Sequence, residues 1–450
     1  MQSHRTNLTE TSQIPDRYFL ARELLVGILV LQFLILFLML TDKFKVLLVV
    51  VLAIAGLVLL FRPQLALYLS TFIAYSGIAA SVLEGMFLPA AALTIAGLII
   101  HFLNGKQQAL VSAPQNKIFL ALGCLMVLST FNARNLELSY TDIYTFLKYV
   151  IFYFLAINIL DSWQSVRRMF WILPITGVVM FIYGIYVFIS SPVEAGLRLT
   201  SAVTDPNSFA IQLIPLVAIS YTLIKTEKSW FLKTASFALL ILIVASIILT
   251  FSRGGWLALL AALFLIGWNE RTNKKLLFLL AICFLVAIFV VPKDIFLLRF
   301  GNVHSITMDA SVAQRLRLLK GGFQMFLDHF VLGVGIGNFL AYSKLYAKLN
   351  FPLVAHNAYL HVAAELVIAG LILFISLLWV TFKSLRKSWA LLQNTSLSKL
   401  RHYPKGLMIA LAGFAVNALT LSEHLNIALF LIIAFTVVIR KLTLQPDSAK

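Results

Sequence analysis

Long apolar runs recur along the whole chain, and most gaps between them are too short to hold a soluble domain. A helix needs roughly 20 apolar residues to cross a bilayer. Candidate spans fall at 20–40, 44–61, 64–82, 86–103, 117–132, 142–160, 169–190, 206–225, 232–250, 253–268, 275–291, 357–382, 405–421 and 423–440. Lipid offers backbone groups no partner, so each span is expected to be helical. The count is fourteen, and fusing or turning back the shortest runs leaves twelve. The expected fold is all-α: a polytopic membrane protein with 12–14 transmembrane helices and one long loop containing amphipathic helices. Three parts are expected to form one membrane domain: 1–291, the N-terminal transmembrane region; 292–356, the loop; and 357–450, the C-terminal transmembrane helices.

Composition agrees. Hydrophobic residues make up 61% of the chain and charged residues only 12%, against about 25% in a soluble domain. The net charge of +18 sits mainly in the short gaps. It therefore reads as orientation in a bilayer, not as a nucleic-acid surface. Arg167 and Arg168, then Lys225, Lys228 and Lys233, then Lys383, Arg386 and Lys387 fall in alternate gaps, as do basic residues at both ends of the chain. Those gaps and both termini are expected to be cytoplasmic. The 292–356 loop then lies outside, which in a bacterium is the periplasm. Met1–Asp16 is polar, and the first apolar run lacks a cleavage pattern, so it reads as a retained span. Cys124 and Cys283 stand inside apolar runs and read as small buried residues.

The outer loop is patterned. Val312, Leu316, Leu319, Phe323 and Phe326 recur at helical spacing with Arg315, Arg317 and Lys320 between them. This predicts an amphipathic helix at the membrane face, capped by Asp309 or Ser311. Gly333, Gly335 and Gly337 predict a tight turn; no Lys-Ser/Thr follows, as a phosphate loop would require. A second helical stretch, Phe339 to Leu349, leads to His356. No internal repeat is evident, which disfavours repeat-built transporters.

Few residues can do chemistry. His356 stands where the loop re-enters an apolar helix, and an imidazole can take a proton from a hydroxyl near neutrality. An inert interfacial histidine is the plain alternative. His361 and Glu365 form an i,i+4 pair that can orient one another or simply pack. Their spacing is not that of a zinc protease. Arg253 lies between two apolar runs beside Gly254 and Gly255, and a charge at membrane depth usually has a partner. Arg198 lies in another outer gap; Asp205 and Pro206 follow it as a helix start. Guanidinium groups suit a diphosphate, whose oxygens accept their forked donors. No Asp-x-Asp or Glu-x-Asp pair occurs. A metal-held diphosphate is therefore not expected, and neither a metal nor another cofactor is assigned.

These features resemble the bacterial O-antigen ligase/polymerase family. The similarity rests on Arg198 before Asp205-Pro206-Asn207, on Ser252-Arg253-Gly254-Gly255, on Arg315 with Asp328-His329-Phe330 and the Gly333–Gly337 turn, and on His356-Asn357-Ala358-Tyr359-Leu360. Two departures are mild: Phe330 replaces a proline after Asp-His, and Val367 stands where a glycine usually follows the exit-helix glutamate. The resemblance implies a metal-independent, inverting membrane glycosyltransferase of GT-C type in the inner membrane. Its donor would be a glycan on undecaprenyl diphosphate, met on the periplasmic face. Its acceptor would be lipid A–core in the ligase branch, or another lipid-linked repeat unit in the polymerase branch. His356 carries over as base and Arg253, Arg198 and Arg315 as diphosphate binders. Asn357, Tyr359 and Asp205 join them as substrate-binding candidates. A transporter of a small anion or lipid-linked sugar is the reading from outside the enzymes. Oligomeric state is not legible.

Overall fold

A computed structural model describes residues 56–77, 87–103, 110–190, 199–200, 205–269, 310–393, 395 and 397–445. The chain divides into two compact units, Met1–Phe61 and Arg62–Lys450. Of the first, residues 56–61 are described, as helix. In the second, the helices are α1 (Pro63–Ser76), α2 (Phe87–Leu103), α3 (Pro114–Ser129), α4 (Leu136–Ile159), α5 (Trp163–Ser190), α6 (Pro206–Thr226), α7 (Trp230–Leu249), α8 (Arg253–Asn269), α9 (Ala310–Asp328), α10 (Phe339–Tyr346), α11 (Ala358–Gln393), α12 (His402–Asn417) and α13 (Ile427–Leu444). No strand occurs among the described residues.

Among the described residues, six helices are long and apolar enough to cross a membrane: α4, α5, α6, α7, α11 and α13. Shorter apolar stretches lie in α2 and α8. The protein is an all-α, multi-pass membrane protein. Eleven expected spans coincide with helices; 20–40, 275–291 and all but the last residues of 44–61 lie outside the described residues.

The helix starts follow local chemistry. Pro63 and Pro114 open α1 and α3, where no intrahelical N–H is needed. Asn135 caps α4 by accepting from the N–H groups of Glu137 and Leu138 at 2.9 and 3.3 Å. Asn426 caps α13 in the same way through Ala428, at 2.9 Å.

Burial separates central helices from lipid-facing ones. In α6 and α13, 78% of the apolar window is buried, against 33–44% in α4, α5 and α7. Central α6 packs on α5, α7, α8 and α12, while α13 packs on α4, α11 and α12. Aromatic contacts knit these layers: Phe430 of α13 stacks on Phe119 of α3 at 5.2 Å, and Phe435 meets Phe170 of α5 at 5.1 Å. Cys124 departs from expectation: it lies exposed on the outer face of α3, so its run is apolar toward lipid, not toward the core. Cys283 lies outside the described residues.

The end of the bundle opposite His356 is tied by charge. Arg167 grips Glu227 with two bonds of 2.7 Å, and Trp171 donates to the same carboxylate at 2.9 Å. Lys441 of α13 donates to the carbonyls of Ile157 and Leu160, at 3.0 and 2.9 Å. Such terminal carbonyls have no intrahelical donor, so the ammonium satisfies them.

The described part of the 292–356 loop folds as α9, a glycine turn and α10. The predicted stripe of α9 is largely exposed: Leu316 42%, Leu319 38% and Phe323 55%. A different face, with Leu318, Gly321, Gly322 and Met325, packs on α10 and α11. The helix is thus apolar on two sides, one packed on the bundle and one exposed. Ser311 falls inside α9, and Asp309 lies outside the described residues.

Candidate active site

His356 ends the loop just before α11. Its φ is 51°, in the left-handed region a non-glycine residue seldom adopts. Its two neighbours hold it there. Asn357 Oδ1 accepts from the N–H of Leu360 at 3.0 Å and so caps α11, while its Nδ2 donates to the Leu419 carbonyl at 3.2 Å. The N–H of Ala358 donates to the Ala418 carbonyl at 2.8 Å. Tyr359 donates to the Ala415 carbonyl at 3.0 Å. These bonds, two of them from the substrate-binding candidates Asn357 and Tyr359, fasten the start of α11 to the end of α12.

The imidazole itself is half-buried, and its Nδ1 is enclosed without a hydrogen-bond partner. Burial pushes His356 below its ordinary pKa. The nearby Arg315 and His361 push the same way, and Asp205 opposes them. The ring is therefore neutral at physiological pH, the form a general base requires.

Arg253 is exposed and opens α8 after a sharp corner. The corner is built from Phe251, at φ 50°, and from Ser252, whose Oγ accepts from the Gly255 N–H at 3.2 Å. A Cβ at Gly254 would collide with Thr420, and one at Gly255 would lie 2.6 Å from Ala210 Cβ. The two glycines let α8 press against the end of α12 and the start of α6. Residues 417–420 thus receive the start of α8 from one side and the start of α11 from the other.

Arg315 stands on α9 within electrostatic reach of His356. Asp205 is a helix cap, as its Asp-Pro context predicts, accepting from the Asn207 N–H at 2.7 Å. It also lies 2.8 Å from Ser208 Oγ, which in turn meets Glu423 at 2.5 Å. Arg198 lies outside the described residues. The residue after it, Leu199, donates to the Leu249 carbonyl at 3.0 Å, close in sequence to Arg253.

The Gly333–Gly337 segment is a docking turn. All three glycines have positive φ, 73°, 89° and 75°. A Cβ at Gly333 would collide with the Glu365 carbonyl, and one at Gly335 would lie 2.9 Å from Ala133. The turn is bonded throughout. Asn338 and Asn135 exchange bonds at 2.7 and 3.1 Å, Ser139 donates to Ile336 at 2.7 Å, and Ser129 accepts from Ile336 at 3.0 Å. His329 stands between Asn132 and Tyr346, at 3.2 and 3.4 Å. The 310–356 loop is thereby clamped onto the α3–α4 corner and onto α11, which kinks at Leu366 and Val367.

His361 and Glu365 meet at 3.0 Å, as the i,i+4 spacing allows, and both are buried. Beside them the structure assembles what the sequence did not reveal. Asp142 of α4 and His424 of the segment after α12 join Glu365, with one ligand-capable atom from each within 4.8 Å of the others. The only advance signal was that Asp142 and Glu365 are carboxylates inside apolar runs.

The fold and the site define a multi-pass helical membrane protein whose loop, carrying a histidine and basic residues, is clamped onto the bundle. Residues 238–375, which hold Arg253, Arg315, His356 and Glu365, match the family model described as O-Antigen ligase. The chain is also similar to the teichuronic acid biosynthesis protein TuaE of Bacillus subtilis (strain 168). Identity is 26% over 271 residues, 55% of this chain and 54% of the relative. The chain thus spans about half the length of the curated relative it matches.

Proposed function

We propose that the chain is a glycosyltransferase of the O-antigen ligase type. It moves a glycan from undecaprenyl diphosphate to a hydroxyl of lipid A–core at the periplasmic face of the inner membrane. Both termini are cytoplasmic. The acceptor oxygen bonds to the anomeric carbon from the side opposite the diphosphate, so configuration inverts. Its proton passes to the neutral imidazole of His356. The bond from the anomeric carbon to the phosphate oxygen breaks, and its electron pair leaves with the carrier diphosphate. Arg253, Arg198 and Arg315 hold that diphosphate, and their fixed charge stabilises what develops on it without a metal. Asp205 favours the imidazolium that forms.

The observation carrying this reading is His356: a neutral imidazole with an unpartnered Nδ1, flanked by Arg315 and Asp205. Purified protein given a polyprenyl-diphosphate glycan and a core acceptor is expected to form the glycoside with no ion gradient. A folded His356→Ala variant is expected to lose transfer by several orders of magnitude. Transfer undiminished in that variant defeats the assignment.

A repeat-unit polymerase is the second reading, favoured by a relative named for the biosynthesis of a polymer, teichuronic acid. The two part in the glycans of a null strain. Loss of a ligase leaves core bare and lipid-linked polymer accumulating. Loss of a polymerase leaves core capped by single repeat units.

A further inference from the structure

Asp142, Glu365 and His424 meet at the same end of the bundle as His356, on three separate elements, with their ligand-capable atoms within 4.8 Å of one another. All three present acceptors. His424 Nδ1 faces the Ser422 carbonyl at 3.3 Å; a carbonyl only accepts, so Nδ1 is the donor. The lone pair of the neutral ring is then on Nε2, which is buried and has no hydrogen-bond partner. Glu365 Oε1 accepts from the Phe339 N–H at 2.8 Å and meets His361 Nε2 at 3.0 Å. Its Oε2 is buried and likewise unpartnered. Relative exposure is 0% for Glu365 and 8% for His424, while Asp142 is half-buried.

Protonated, His361 balances Glu365 at 3.0 Å; Asp142 and the His424 lone pair still repel unless a further positive group lies among them. We propose that Asp142, Glu365 and His424 bind a divalent transition-metal cation of the Zn²⁺ or Mn²⁺ class. The imidazole selects this class over Mg²⁺ and Ca²⁺, which take oxygen shells. The surroundings are those of a built site. The Phe339 N–H and His361 orient Glu365, and the Ser422 carbonyl fixes the tautomer of His424, as outer partners of metal ligands do. A cavity of about 270 Å³, lined in part by Asp142, His361, Glu423 and His424, adjoins the group and gives room for water ligands. The cation pins the segment between α12 and α13 to α4 and α11. That same segment carries the carbonyls that hold the start of α11. The role is structural, and no step of the proposed transfer passes through the metal.

The test uses untagged full-length protein in detergent, stripped with a chelator, reloaded with Zn²⁺ or Mn²⁺ and desalted. The wild type is expected to retain one metal per chain by mass spectrometry and to gain several degrees in thermal midpoint. Asp142→Asn and His424→Gln are expected to lose both effects. Glu137→Gln, an exposed carboxylate on the same helix, is expected to keep them. X-ray absorption at the bound metal is expected to show one imidazole in an otherwise oxygen shell, a readout that needs no variant to fold. A wild type that retains no metal, or a shell with sulfur or several imidazoles, overturns the proposal. In the first case the three acceptors share a proton instead. Neither result touches the assignment of His356 as base, which is read from transfer activity.

Discussion

The hydroxyl of Ser208 lies 2.5 Å from Glu423 Oε1, across 215 positions of the chain. The same oxygen lies 2.8 Å from Asp205 Oδ2, so one O–H stands between two carboxyl groups. It joins the start of α6 to the segment before α13. Ser208→Ala removes the shared donor, while Asp205 keeps the Asn207 N–H and Glu423 keeps the Asn426 amide. Asp205 is exposed and Glu423 half-buried, so the expected loss is about 1 kcal/mol, that of an ordinary hydrogen bond. Thermal unfolding in detergent measures it. Ser208→Thr keeps the hydroxyl and is expected to recover most of the loss; equal stability of the Ala variant would show that the bridge contributes nothing.

His356 sets an acid limit on the proposed reaction. Its pKa is depressed, so the active neutral form persists below pH 6.5 and activity falls only as pH drops through the lowered value. The folded state prefers the neutral ring, so stability from this group is present above the unfolded pKa and declines at lower pH. The charged neighbours give the sign of two variants. Arg315→Gln removes a positive charge and is expected to move the acid limb up in pH. Asp205→Asn removes a negative one and is expected to move it down. The check is the pH dependence of kcat/KM, which separates a shift of the limb from a change in its height. A limb at the same pH in both variants removes His356 as the titrating group.

Arg253→Lys tests the fork rather than the charge. A lysine keeps the positive charge but meets phosphate as a point. If the guanidinium holds the leaving diphosphate, kcat/KM is expected to fall about 10²-fold. The thermal midpoint is expected to stay near that of the wild type, because the side chain is exposed. Transfer at the wild-type rate would show that charge alone suffices.

The glycine turn answers to backbone geometry. At Gly333 a Cβ collides with the carbonyl of Glu365, and the residue also has φ 73°. Neither party to the collision is a flexible side chain. Gly333→Ala is expected to cost several kcal/mol, about 1–3 of it from backbone strain alone. Limited proteolysis of the 310–355 region reads the outcome: the variant is expected to be cut faster than the wild type. Equal protection would mean the loop is held without this turn.

The fold was legible because lipid forces one solution: apolar runs become helices, and eleven of the expected spans did. Local chemistry was legible too, in the Asp205 cap, the glycine turn and the His361–Glu365 pair. What escaped were relationships between distant segments. Nothing in the spacing of Asp142, Glu365 and His424 brings them together; helix packing does. The packing face of α9 was hidden because Gly321 and Gly322 add no apolar signal, although they allow the close approach. Cys124 was misplaced because an apolar run does not say which of its faces meets protein and which meets lipid.

Val367 is the strained residue of α11 whose conformation the structure explains. It has φ 53° and ψ −166°, a region open to glycine and strained for a β-branched residue. The kink is needed, because it exposes the Ala364 carbonyl, which accepts from the Val334 N–H of the glycine turn at 2.9 Å. Two substitutions separate strain from packing. Val367→Ala keeps a Cβ in the strained conformation and loses side-chain contacts. Val367→Gly loses the same contacts and relieves the strain. In an ordinary helix glycine is worse than alanine by about 1 kcal/mol; here the order is expected to invert, with the glycine variant more stable by about 1 kcal/mol. Paired unfolding curves in detergent decide it. An alanine variant more stable than the glycine variant would mean that residue 367 sits in ordinary helix and that the Ala364 carbonyl is not released to the turn.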